Sequence, residues 1–115
     1  SDVYKRQVVY GDGKKYLTAL VDINEQTACS CLAKAGEPDP GSLRDHPLIR
    51  RLVGERIAQV NRSLAPFETI KDFVIAGEPL TIESGMLTPS LKVRRARVYE
   101  SYRTALESLY RSRSG

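Results

Sequence analysis

Lys92 is the residue of this 115-residue chain that its neighbours best equip for chemistry. It lies in Leu87-Thr88-Pro89-Ser90-Leu91-Lys92-Val93-Arg94-Arg95, just after Gly85, and that setting predicts an irregular loop on which a lysine can swing. Its ammonium is a compact charge with three donors, suited to a point where a phosphate and a carboxylate meet. At about 4 Å one such contact is worth roughly 1 kcal/mol in water and about 4 kcal/mol in a partly shielded site. A closed cleft is therefore needed before the contact matters in catalysis. Arg94, Arg95 and Arg97 fit a solvated helix start or a general anion patch equally well. By composition alone the solvated basic loop is the plainer reading, because charge runs are commonly surface.

The charge is unevenly spread. Up to Met86 there are 11 Lys/Arg against 12 Asp/Glu, a net −1; from Leu87 onward there are 7 against 2, a net +5. A basic final segment suggests an anionic partner: nucleic acid, phospholipid or a phosphate-bearing small molecule. Metal chemistry lacks ligands. Cys29 and Cys31 are the only cysteines, and the single histidine, His46, lies across a Gly/Pro/Asp loop from them. The two cysteines read as small, apolar-like residues on a short helix.

Several elements must position the loop. Val8-Val9-Tyr10 and Tyr16 to Val21 read as strands flanking the hairpin turn Gly11-Asp12-Gly13-Lys14-Lys15. Asn24 can cap a helix running to about Lys34, before a loop from Ala35 to Gly41. Asp45 as N-cap and Pro47 in the first turn open a second helix. Its stripe of Leu48, Ile49, Leu52, Val53, Ile57, Val60 and Leu64 must pack on a sheet, with Arg50, Arg51, Glu55 and Arg62 on the solvated side and Pro66 as the stop. Ile70 to Ile75 reads as a third strand, closed by Gly77-Glu78-Pro79, and Thr81 to Ser90 as a linker. Val98, Tyr99, Tyr102, Ala105, Leu106, Leu109 and Tyr110 mark a last amphipathic helix. The order predicts one α+β domain with a small sheet of about three strands and packed helices. Residues 1–7 and 111–115 find no place in this scheme and are read as non-native or disordered ends.

The motif order resembles a known family. Gly85-Met86-Leu87-Thr88-Pro89-Ser90-Leu91-Lys92-Val93-Arg94-Arg95 is similar to the last conserved motif of AMP-forming long-chain fatty acid–CoA ligases, in the adenylate-forming enzyme superfamily. Val8 to Val21 resembles the first hairpin of that family's C-terminal domain. Val60-Asn61-Arg62-Ser63-Leu64-Ala65 with Glu68 to Phe73 resembles its helix-to-strand join, and Tyr102 to Tyr110 its closing helix. The resemblance covers about Val8 to Tyr110, with Leu-Thr-Pro-Ser-Leu-Lys its specific part. Leu91 departs from the glycine usual in the wider superfamily and reads as a mark of the long-chain branch.

The resemblance implies that residues 8–110 are a C-terminal lid domain. Lys92 would be the catalytic residue, reaching the substrate carboxylate and the α-phosphate of ATP while acyl-adenylate forms, with Thr88, Ser90 and Arg94 supporting the loop. ATP, Mg2+ and CoA would serve the full-length enzyme, fatty acid and CoA would be its substrates, and the missing N-terminal adenylation domain its main partner. None of the cofactors ATP, Mg2+ and CoA would bind this chain stably alone. The phosphate loop, adenine pocket and acyl pocket have no counterpart here, so the chain reads as a fragment that makes no acyl-CoA by itself.

Two other readings compete. A nucleic-acid-binding module has only charge behind it: the six tyrosines form no stacking pattern and no fingerprint is present, so no nucleic-acid partner is expected. A protein-interaction module without catalysis is the other. No apolar run approaches the roughly 20 residues of a membrane span and no signal peptide is evident, so a cytoplasmic location with peripheral contact at a membrane is expected.

Overall fold

The computed structural model describes residues 2–37 and 43–111. Three strands form one sheet in the order β1 (Tyr4–Tyr10), β2 (Leu17–Ile23), β3 (Ile70–Ile75). The β1–β2 pair is antiparallel and closed by the glycine-marked turn, where Lys14 N donates to the Gly11 carbonyl at 2.8 Å and Gly13 has φ +77°. The β2–β3 pair is parallel, so the chain must cross between them; α1 (Glu25–Lys34) and α2 (Pro47–Asn61) make that crossing.

β2 is the centre of the molecule because its side chains alternate between two cores. Ala19, Val21 and Ile23 meet Ala28 and Leu32 of α1 and Ile49, Val53 and Ile57 of α2. On the other face Leu20 and Val8 meet Leu80, Leu87 and Val98 of α3 (Arg95–Arg111). The α+β class, the three strands and the packing of α2 on the sheet are as the sequence predicts.

Local details differ. β1 begins at Tyr4, pairing Tyr4 to Gln7 with the end of β2, and Val3 is buried, so these residues are part of the sheet rather than outside the fold. Asn24 caps α1 as expected, accepting from Thr27 N at 3.1 Å. The cap of α2 is His46, not Asp45: its Nδ1 accepts from Leu48 N at 3.1 Å, while Asp45 ends a 3₁₀ turn from Leu43. α2 stops at Asn61, five residues before Pro66, because the Asn61 side chain leaves the helix to pair with Ile70 of β3. Its Nδ2 donates to the Ile70 carbonyl and its Oδ1 accepts from Ile70 N, both at 2.9 Å. Arg50 is not simply solvated: its guanidinium lies 4.3 Å from the Phe73 ring centre and donates to the Phe73 carbonyl at 3.3 Å.

The far end of α3 is fastened by tyrosines. Tyr16 stacks on Tyr110 at 4.8 Å and Tyr10 meets Tyr99 edge-on at 5.2 Å. The Tyr110 hydroxyl lies 2.9 Å from the Tyr16 carbonyl and 3.1 Å from that of Tyr10. Four of the six tyrosines therefore do cluster, but packed between α3 and the β1–β2 hairpin.

Glu107 joins this cluster, accepting from Lys14 Nζ at 2.8 Å and from the Tyr10 hydroxyl. The bond from Lys14, then that from Tyr10, hold its carboxyl below the usual carboxylate range. The unfolded chain, with the ordinary value of about 4.3, then binds more protons in acid. Stability from this contact is complete above that value and lost as pH falls through the lower folded one. The melting temperature should accordingly drop more between pH 5 and 3 for the native chain than for Glu107→Gln; equal drops would exclude this contact as a source of acid lability.

Candidate functional site

Lys92 sits on a tight hairpin, not the irregular loop the sequence suggests. Leu87 and Val93 form an antiparallel bridge, and Thr88 N donates to the Lys92 carbonyl at 2.8 Å. Residues 88–91 make a β-turn in which Leu91 N donates to the Thr88 carbonyl at 2.8 Å. Pro89 takes the second position, where its fixed φ suits a turn. The Thr88 hydroxyl accepts from Lys92 N at 3.1 Å and lies 3.1 Å from the Ser90 hydroxyl. Thr88 thus bonds both to Ser90 and to the backbone within the turn. The local backbone is pinned, so any large travel of Lys92 requires the whole hairpin or domain to move.

The base of the hairpin is equally tied. Arg94 N donates to the Met86 carbonyl at 2.8 Å, and its guanidinium reaches the Gly85 carbonyl at 3.4 Å. Gly85 has φ +82°, so glycine meets a conformational demand there; a Cβ would also come within 2.9 Å of an Arg97 nitrogen, but that exposed guanidinium can swing aside. The buried side chain of Leu87 anchors the first arm beside Val98. The sequence-predicted site residues Thr88, Ser90, Lys92 and Arg94 therefore share one hairpin.

Lys92, Arg94, Arg95 and Arg97 are all exposed. Among the described residues no ion pair engages any of them, and no hydrogen bond engages the Lys92 ammonium. Two surface clefts lie elsewhere: one runs beside Val3, Leu52 and Arg56, another beside Tyr16 and Tyr110, and neither is lined by Lys92. The hairpin presents a cation outward. Such a group can stabilise developing negative charge only when another surface closes over it and excludes water.

Leu91, next to Lys92, has φ +66°, the one non-glycine residue with positive φ among those described. A left-handed leucine costs about 1–2 kcal/mol relative to ordinary backbone. Its side chain is 59% exposed, so packing within the chain does little to offset that cost.

A group that sequence reasoning passed over underlies the hairpin. Asp22 on β2 is 1% exposed; its carboxylate accepts from Leu80 N at 3.3 Å and lies 3.6 Å from Arg44 Nη1. Arg44, itself buried, donates to the Ala76 carbonyl at 2.7 Å and to Glu25 at 3.2 Å. Two points in the first half of the segment between β3 and the hairpin, Ala76 and Leu80, are thus fastened to one ion pair. The signal was present: an aspartate inside an otherwise apolar central strand must find a partner.

As for metals, no group of three or more His, Cys, Asp and Glu stands together among the described residues. The hairpin is cationic, so its donors suit a phosphate or carboxylate and not Mg2+. No described helix is long and apolar enough to cross a membrane.

Similarity to known proteins agrees with this geometry. No protein-family model matches the chain. It is 29% identical over 110 residues to long-chain-fatty-acid–CoA ligase 5 of Rattus norvegicus, covering 90% of this chain and 16% of that protein. It is 38% identical over 114 residues to the peroxisomal acyl-CoA ligase 891 of Penicillium brevicompactum, covering 89% and 16%. In fold it is similar to the A-PCP didomain of a carboxylic acid reductase from Segniliparus rugosus, solved in complex with AMP. The TM-score is 0.70 at 30% identity, covering 97% of this chain and 14% of that one. These sequence relatives are acyl-CoA ligases, and this neighbour in fold is part of a carboxylic acid reductase. The chain spans about one sixth of the length of the relatives it matches. The fold of an adenylate-forming enzyme domain is thereby shown, and the hairpin of Lys92 is part of it.

Proposed function

We propose that the chain is the C-terminal lid domain of an AMP-forming long-chain fatty acid–CoA ligase, with residues 8–110 as the domain and Lys92 as its catalytic residue. The observation that carries this reading is the exposed Lys92 ammonium, without an ion pair among the described residues, at the tip of a pinned cationic hairpin in a chain whose relatives are acyl-CoA ligases. In the first half-reaction a fatty acid carboxylate oxygen attacks the α-phosphorus of ATP, the bond to the β-phosphate oxygen breaks, and pyrophosphate leaves. Lys92 bridges the carboxylate and the α-phosphate, holding them together and offsetting charge as the new bond forms. In the second, the CoA thiolate attacks the acyl carbon and AMP departs. Because the hairpin is locally stiff, its withdrawal between the two steps is a rigid movement of the lid.

Thr88 and Ser90 keep the tip in shape, and Arg94 fixes its base. Mg2+, when present, neutralises the phosphates of ATP, and nothing on the hairpin is suited to hold it; its ligands belong to the adenylation domain. That domain is the proposed partner, supplying the ATP and acyl pockets. Placement in the cytoplasm, with peripheral contact at a membrane that supplies fatty acid, belongs to the same reading.

The test is the protein encoded by the complete gene. It is expected to exchange labelled pyrophosphate into ATP only when a long-chain fatty acid is present. Exchange that needs no acid, or none with any fatty acid offered, would overturn the reading.

A further inference from the structure

Leu91 carries two costs that no packing among the described residues offsets. Its backbone is held at φ +66°, and its apolar side chain is 59% exposed. A tight turn can be closed by residues that accept positive φ more readily, so an exposed leucine there is selected against by folding alone. Strain of this kind persists where a function requires the side chain. The turn also fixes where that side chain stands. Leu91 N is bonded to the Thr88 carbonyl, and Lys92 N to the Thr88 hydroxyl, so Leu91 and Lys92 leave the tip as one rigid unit. Wherever Lys92 is inserted, Leu91 arrives one residue, about 3.8 Å of backbone, away.

We propose that Leu91 is a positioning residue: it seats in an apolar socket of the partner domain beside the reacting carboxylate and sets the depth at which Lys92 is delivered. The inference rests on the reading of Lys92 given above. The socket's class follows from the side chain, a branched aliphatic surface that must be dry to repay its exposure. A fatty acid's carboxylate is followed directly by methylenes, so the surface lining that end of the substrate is apolar at the required place. Burial of Leu91 on closure also expels water from around the lysine, which strengthens its contacts with both anions.

The experiment uses the complete protein carrying this chain, with Leu91→Gly, Leu91→Met and Lys92→Ala measured side by side. Leu91→Gly should raise the melting temperature of the chain by a few degrees, since the strain is relieved, yet slow acyl-adenylate formation about tenfold or more. Thioester formation from supplied acyl-adenylate should change by less than twofold, and Leu91→Met should restore adenylation. A role confined to folding would couple the two readouts in the opposite sense, with the more stable variant as active or more so. Adenylation undiminished in Leu91→Gly, equal loss in both half-reactions, or a lower melting temperature would each overturn the inference. Lys92→Ala separates the levels: if it also retains adenylation, the reading of Lys92 itself has failed.

Discussion

Lys92→Ala in the complete protein is expected to slow acyl-adenylate formation by about 10²- to 10³-fold, the usual loss when one preorganised charge-stabilising donor is removed from a closed site. Thioester formation from supplied acyl-adenylate should be nearly unaffected, because in the proposed role the lysine serves only the step in which carboxylate and α-phosphate are joined. Fold stability should hardly change, since the ammonium is exposed and makes no contact among the described residues, and surface substitutions of that kind usually fall within about 0.5 kcal/mol. Single-turnover measurement of each half-reaction separates these outcomes. Equal loss in both would remove Lys92 from its assigned role, and a large fall in melting temperature would recast it as structural.

Arg44→Met should have the largest effect on stability. It leaves the Asp22 carboxylate buried at 1% exposure with only the 3.3 Å bond from Leu80 N, and it frees the Ala76 carbonyl. Breaking a buried pair by removing one partner costs about 3–5 kcal/mol, because the remaining charge stays desolvated. That is a large share of the roughly 5–15 kcal/mol by which a domain is stable. At about 4–8 °C per kcal/mol for a chain of this size, a fall of at least about 12 °C in melting temperature follows. Replacing both partners, Asp22→Leu with Arg44→Met, should cost less than Arg44→Met alone, since no charge is then stranded. Denaturant unfolding of the three variants would test this, and a single-variant cost below about 1 kcal/mol would place the pair with ordinary surface bridges.

The two predictions meet at the hairpin. The Arg44–Asp22 pair holds the segment leading into residues 87–93, whereas Lys92 is the group that segment delivers. A stability defect at one and a kinetic defect at the other separate support from chemistry.

Elements with local causes could be read from residue order alone. β3 follows from Ile70 to Ile75, α1 from its Asn24 cap, and the stripes of α2 and α3 from apolar spacing. The motif around Lys92 was legible too, because residue types at short spacing define it. The remaining features depend on groups far apart in the chain. Tyr4 to Gln7 became strand because the end of β2 offered an unpaired edge, and α2 ended early because Asn61 bonds Ile70 better than it continues a helix. Arg44 and Asp22 are 22 positions apart, and only the closed fold removes both from water. The turn at residues 88–91 likewise looked like open loop, since the Thr88 hydroxyl and the Leu87–Val93 bridge that stiffen it carry no periodicity. Sequence therefore found the lysine, and the fold showed that it is held out rigidly, with a strained leucine at its side.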